Sequence, residues 1–306
     1  MIFDIKEYAG TYLFKDGSNV GWRSKTFGTP LGSKAVGSII KIKVNNVDTD
    51  FIVAQHGRPS SSYDASFDGG TILVAKNSIS NPVGSSYGVN WWANATDNTY
   101  YYWGANLVVG YLSSYYQTID ANIRSNIKTV NLPCGYISPD HAGTTMLGGY
   151  QNMAHTVFIP SAKELGYSDQ ELLNAMLYGQ TYYEAQVLGD GGATWAYFQT
   201  GAMLATYDNM WTRTPGYYFY AHTSTIIYRV AFVQESTQYS GNRLHAGPIY
   251  VASLTNTVGR FNPAFVLPQT LLVNDGKYIM VNADASDSDQ INNADLAVDE
   301  TERIEP

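Results

Sequence analysis

From Ser38 the chain alternates: Ile40, Ile42 and Val44 are separated by Lys41 and Lys43, the period of two that a half-buried strand requires. Asn45 and Asn46 then precede a second apolar run, Phe51 to Val53, so SIIKIKVNNVDTDFIVAQHG predicts a hairpin with one wet face. RPSSSYDASFDGG reads as a loop, and TILVA (71–75) as a short buried strand. The spacing changes to three and four at Leu107, Tyr111, Leu112, Tyr115, Ile119, Ile123 and Ile127, which predicts one amphipathic helix that stops before Pro133. A second helix is expected over SDQELLNAMLYG, opened by a capping box of Ser168 and Glu171 and closed by Gly179.

Beyond Gly191 short strands alternate with Gly, Asn and Pro. Ile226 to Val233 is apolar at most positions of both faces, the pattern of a strand with neighbours on either side, and FNPAFVLP and GKYIMV predict further strands. Residues 1–36 mix Gly, Ser and Lys with isolated aromatics and read as an irregular arm. Residues 282–306 carry almost no large apolar residue and an excess of acids, so they form a tail that does not fold alone. The expected organisation is an arm (1–36), one domain (37–281) and the tail (282–306), with no repeat of fixed period.

Composition narrows the function. Among 306 residues 44% are hydrophobic and only 14% charged, while Tyr reaches 25 and Gly 28, so polarity comes from Asn, Ser, Thr and Tyr. A net charge of -8 with 18 scattered Lys and Arg argues against nucleic acid as a partner. No apolar run is long enough for membrane insertion, and MIFDIKEYAG lacks the basic and greasy parts of a signal peptide. Cys134 has no second cysteine to bond and is expected as a small packing residue.

Catalytic and metal sets are thin. His56, His141, His155, His222 and His245 show no metal-binding spacing, so neither a metal nor another cofactor is expected. Asp64 and Asp68 read as turn residues bonding local amides rather than as a carboxylate pair for glycoside cleavage. Asp284, Asp287 and Asp289 space oxygens like a calcium loop but lack its glycine. The expectation is a protein that is not an enzyme.

The stretch WTRTPGYYFYAH separates two roles. Trp211 is expected in the core and Arg213 buried against a carboxylate or carbonyls. After Pro215 and Gly216 the backbone is expected to turn and expose aromatics, so Tyr217, Tyr218, Tyr220 and His222 are candidate ligand-binding residues. Tyr239, Asn242, Arg243 and His245, from QESTQYSGNRLHAG, complete that set, because Tyr with Ser, Asn and Gly is the mixture of adaptable binding loops.

Several stretches carry a resemblance by their order: VGSIIKIKVNN, DFIVAQHGRPSSSYDASFDGGTILV, NLVVGYLSSYYQTIDANIRSNIKTVNLP, VFIPSAKELG, GATWAYFQTG, WTRTP and GRFNPAFVLPQTLLV. Over roughly residues 36 to 281 the chain resembles a family of uncharacterised domains common in phages and prophages of Gram-positive gut bacteria. The family motif Trp-Leu-Arg-Ser-Pro matches at Trp211, Arg213 and Pro215, whereas Asn262 stands where the family's Gly-Val-Arg-Pro-Ala-Phe has its arginine. The same motifs are similar to the C-type-lectin-like fold of formylglycine-generating enzymes and retroelement-diversified variable proteins. The resemblance implies an α+β fold, C-type-lectin-like, with two helices around a small twisted antiparallel sheet. It also implies a virion protein, at a tail tip, fibre or head surface, binding a host cell-surface glycan or protein. That protein would contact other virion proteins and act as a homo-oligomer. A structural decoration or assembly protein is the alternative, and a glycan or cell-wall hydrolase a minor one.

Overall fold

The computed structural model describes residues 11–16, 19–24, 28–79, 101–102, 107–139, 146–171, 183–187, 191–202, 204, 210–220, 225–233, 249–252, 260–274 and 277–280. Strands dominate, and every strand pair among them is antiparallel, so the fold is α+β in the coarse sense. The predicted hairpin is β4 (Ile39–Val44) and β5 (Val47–His56). Asn45 and Asn46 join them with φ of 50° and 61°, the left-handed pair a two-residue turn needs if its twist is to match the strands. The predicted buried strand is β6 (Gly70–Ala75), buried at every position because it is central in a five-stranded sheet. That sheet runs β10 (Val157–Phe158), β15 (Ala264–Pro268), β6, β5, β4. Its core holds Phe51, Val53, Ile72, Leu73, Val74, Phe265 and Val266, each with no exposed surface.

The single long helix expected over 107–127 is instead two. α1 (Leu107–Thr118) ends where Ile119 bridges Val44, and α2 (Ala121–Arg124) restarts on Asp120. Three hydrogen bonds at Asp120, one tertiary and two local, explain the break. The Asp120 amide donates to Lys43 O at 2.9 Å, while its carboxylate accepts from the amides of Asn122 and Ile123 at 2.9 and 3.3 Å. The apolar spacing still selects the buried face, since Leu112, Tyr115, Ile119, Ile123 and Ile127 are all in the core. At the second expected helix the capping box forms, with Glu171 Oε2 accepting from the Ser168 amide at 2.8 Å and Ser168 Oγ from the Glu171 amide at 3.2 Å. Residues 172–179 lie outside the described residues.

The arm is not irregular throughout. β1 (Thr11–Asp16) and β2 (Asn19–Ser24) pair as a hairpin. β3 (Thr29–Pro30) pairs with β16 (Leu272–Val273), which pairs with β17 (Ile279–Met280). Leu31 is fully buried, with its amide on Leu271 O at 2.7 Å. The acidic tail (282–306) lies outside the described residues.

Two further sheets complete the described architecture. One is ordered β7 (Tyr101–Tyr102), β8 (Val130–Pro139), β9 (Met146–His155). The other is ordered β11 (Tyr183–Val187), β12 (Met210–Tyr220), β13 (Thr225–Val233), β14 (Ile249–Ala252). β13 has a neighbour on each side, as its continuous apolar run predicts.

The turn between β4 and β5 yields a stability test. Asn46→Val places a β-branched residue in a left-handed position and is expected to cost about 1–2 kcal/mol. Asn46→Gly is expected to hold or raise the midpoint of a urea titration, and an unchanged midpoint for the valine variant would contradict the turn.

Candidate functional site

Arg213 enters the interior through a break in a ladder. β12 and β13 pair Trp211 with Phe232 and then Pro215 with Val230, with the register shifting between them, so Thr212 to Thr214 leave the sheet. Freed from β13, the Arg213 amide donates to Pro160 O at 3.2 Å, and Thr214 Oγ1 accepts from the Ala162 amide at 2.8 Å. The Arg213 guanidinium then has no exposed surface and forms a two-pronged ion pair with Glu164, which is also fully buried. Its Nη1 donates to Ile159 O at 2.8 Å and its Nε to Pro133 O at 3.3 Å. Trp211, as expected, is core at 2% exposure.

Glu164 is held from four directions. Its carboxylate accepts from both Arg213 prongs, from the Tyr63 hydroxyl and from the Ser161 amide at 2.8 Å, while its own amide donates to Ser161 Oγ at 3.2 Å. This is a reciprocal Ser-x-x-Glu box in which the carboxylate has a second task. Tyr63 Oη also accepts from the Ala193 amide at 3.4 Å, and the Trp195 amide donates to Glu164 O at 3.1 Å. Five stretches of chain, around 63, 133, 160–164, 193–195 and 213, therefore converge on one carboxylate and one guanidinium.

The electrostatics follow from that convergence. Burial opposes the charge on Arg213, but the Glu164 carboxylate and its hydrogen bonds outweigh burial and hold the guanidinium protonated far above its ordinary range. Burial, then the neighbouring Glu164 charge, pushes the Tyr63 phenol well up. Burial, with Arg213 nearby, lowers His155 from 6.5 to about 4. Each ionic group is spent on a neighbour, so the cluster acts as a brace.

The candidate ligand-binding residues are placed differently from expectation. Tyr217, Tyr218 and Tyr220 lie within β12, not in a turn after Pro215 and Gly216. Pro215 sits where the register shifts, which is where a strand tolerates a missing amide, and Gly216 pairs with Val187 and Arg229. The aromatic run then favours extended backbone. Position 220 registers with 183 and 225, and 218 with 185 and 227. Position 217 registers with 186 and 228, in the alternate set that continues along β13 to Phe232, opposite buried Trp211. The strand therefore divides the predicted tyrosines, 218 and 220 on one face and 217 on the other. His222, Tyr239, Asn242, Arg243 and His245 lie outside the described residues.

Other expectations resolve side by side. Asp64 is a turn residue, accepting from the Ser66 amide at 2.8 Å and Asn131 Nδ2 at 3.2 Å, and these bonds lower its pKa. Asp68 instead pairs at the surface with Arg58 Nε at 2.8 Å. Cys134 is a buried thiol donating to Leu132 O at 3.3 Å. Asn262 is buried and donates to Ala75 O at 2.9 Å, tying the position of the family's arginine to β6. Glu164 was overlooked, although Ser161-Ala-Lys-Glu164 directly after Pro160 is a readable capping box. Tyr63 carried no such signal, being one aromatic in a serine-rich loop.

Two measurements check the brace. Glu164→Gln leaves a buried guanidinium without its counter-charge and is expected to cost about 3–5 kcal/mol by denaturant titration. His155 has a depressed pKa, so its contribution is complete above its unfolded value of 6.5 and is lost as pH falls toward about 4. Stability is expected to decline across that window in the parent and to decline less in His155→Gln, and equal slopes would refute the assignment.

No match was found among curated proteins or among solved structures. A family model described as Domain of unknown function (DUF6273) matches residues 69–269, a span that contains Glu164, the whole of β12 and the return strand β15. Having that model over about two thirds of its length, the chain belongs to the DUF6273 family.

Proposed function

We propose that this chain is a non-enzymatic phage virion protein with a C-type-lectin-like domain, displayed at a tail tip, fibre or head surface in several copies. It binds a host-surface glycan or protein through tyrosines. The observation that carries this reading is the register of β11, β12 and β13, which gathers Tyr183, Tyr218 and Tyr220 at neighbouring positions of one sheet face. Supporting it further, the alternate register set of the same strands continues to position 232, opposite buried Trp211, and positions 183, 218 and 220 belong to the other set. Tyrosine gives a large rigid contact area with little ordering cost, and its hydroxyl satisfies a polar ligand edge. The family resemblance supplies the phage setting and the Gram-positive host.

The test separates the two faces. Fluorescently labelled protein is incubated with Gram-positive cell walls. Tyr218→Ala and Tyr220→Ala are expected to reduce retention on the order of tenfold with the melting temperature little changed, each removing one aromatic anchor of the proposed surface. Tyr217→Ala is expected to lower the melting temperature instead. Retention that survives both the Tyr218 and the Tyr220 substitutions would overturn the reading.

A further inference from the structure

We propose that the outer face of β8 and β9 around Tyr150 is a binding site for neutral sugar. The proposal rests on reading the chain as a binding module, but uses none of the residues of β11 to β13. Among the described residues Tyr150 is the exposed large aromatic, at 45%. Its ring is nonetheless braced. Gly191, at φ +70°, lies so close that a Cβ there would come within 2.6 Å of the ring's Cγ and Cδ2 and within 2.8 Å of Pro133 Cβ. Gly191 is itself fixed, since its carbonyl accepts from Ser62 Oγ at 2.6 Å, and Ser62 Oγ lies 2.6 Å from Ser60 Oγ. A ring supported beneath by backbone and open above is a preformed platform, which spares the ordering cost of a mobile side chain.

The surroundings of the ring supply amides and one acid. β8 and β9 pair Gly135 with Tyr150, Pro133 with Asn152 and Asn131 with Ala154, so Tyr150, Asn152 and Asn131 share a face. Asn152 and Asn131 are both exposed. Asn131 Nδ2 donates to Asp64 Oδ1 at 3.2 Å, which orients the side chain of this exposed residue. An aromatic ring on one strand face with exposed amides, one of them oriented by Asp64, suits a short saccharide, a C–H face packing on the ring while hydroxyls bond to amides.

Charge selects the class of sugar. Tyr150, Asn152, Asn131, Ser62 and Gly191 carry none, and among the described residues the carboxylate bonded to this set is Asp64, on Asn131. Hydrogen bonds from the Ser66 amide and hydroxyl and from Asn131 lower the pKa of that carboxyl, so it stays ionised at neutral pH. A sialylated or phosphorylated glycan would bring a second anion to this group, whereas a neutral one meets no repulsion.

Saturation-transfer NMR and calorimetry on the full chain, with cellotriose, maltotriose, chitotriose and 3′-sialyllactose as probes, decide the question. At least one neutral trisaccharide is expected to bind and sialyllactose is not. Tyr150→Ala is expected to weaken that binding on the order of tenfold and Tyr150→Phe to keep most of it. Asn152→Ala, at an exposed position, is expected to weaken it several-fold and carries the test if Tyr150→Ala does not fold. Asp64→Asn keeps the turn-capping oxygen while removing the charge, and is expected to admit sialyllactose. No binding by any of the three neutral sugars, or full binding by folded Tyr150→Ala and Asn152→Ala variants, overturns the proposal. The two surfaces are scored separately. If Tyr218→Ala and Tyr220→Ala leave both cell-wall retention and trisaccharide binding intact while Tyr150→Ala abolishes the latter, the reading of β11 to β13 falls and this site stands.

Discussion

The pairing of Arg213 with Glu164 is the constraint on which the described structure depends. Both groups are withdrawn entirely from water, a transfer that costs several kcal/mol per ion and is recovered only when every lone pair and proton finds a partner. Here the carboxylate accepts four hydrogen bonds, and the guanidinium adds two backbone carbonyls to its pair. An apolar cluster of equal volume could be as stable, so the cluster's distinctive contribution is geometric. Oil has no preferred partner, whereas a two-pronged ion pair with a tyrosine and two carbonyls is satisfied in one arrangement of five chain stretches.

That demand explains irregularities elsewhere. β12 breaks register so that Arg213 can leave the sheet, and Pro215 occupies the position where the break makes its missing amide harmless. β5 also shifts register between Val53 and Gln55, and Gln55 Oε1 then accepts from the Ala196 amide at 2.8 Å, at the start of the short helix Ala196–Gln199. That helix follows Trp195, whose amide reaches Glu164 O. Two interrupted ladders thus feed the same stretch of chain, one through a side-chain amide and one through the ion pair. Regular pairing at β12 would leave buried Glu164 without its partner, and regular pairing at β5 would cost the part-buried Ala196 amide its bond to Gln55.

What the sequence made legible is what local rules govern. The Asn45-Asn46 hairpin, buried β6, flanked β13 and the apolar face of α1 and α2 all follow from periodicity and turn chemistry. The burial of Trp211 and Arg213 was readable too, from the Trp211-Thr212-Arg213-Thr214-Pro215 motif that carries the family resemblance rather than from periodicity. The identity of that anion was less so, since Glu164 lies far from Arg213 in the chain and its capping box speaks only of local structure. Asp120 defeated the long-helix expectation because its tertiary bond to Lys43 O and its capping of the Asn122 and Ile123 amides outweighed continuing period. The turn expected at Gly216 failed for a related reason: Pro and Gly interrupt a strand only where the ladder needs their amide or side chain, and a register shift removes that need.

The distribution of charge bears on how such a fold recognises anything. Residues 282–306 hold eight acids and one arginine, so nearly all of the net charge of -8 belongs to the tail and the rest of the chain is close to neutral. A nearly neutral body has little long-range field to steer a charged partner, and binding to it is governed by contact shape and short-range bonds. The ions placed deepest are consumed by the Arg213 and Glu164 brace, and described surface charges are paired in turn, as Arg58 with Asp68 and Lys163 with Asp169. With the interior fixed by one ionic cluster, surface positions are free to be selected for rigid rings and adaptable amides. In the proposed function such a body selects an uncharged partner by stacking and hydrogen-bond geometry.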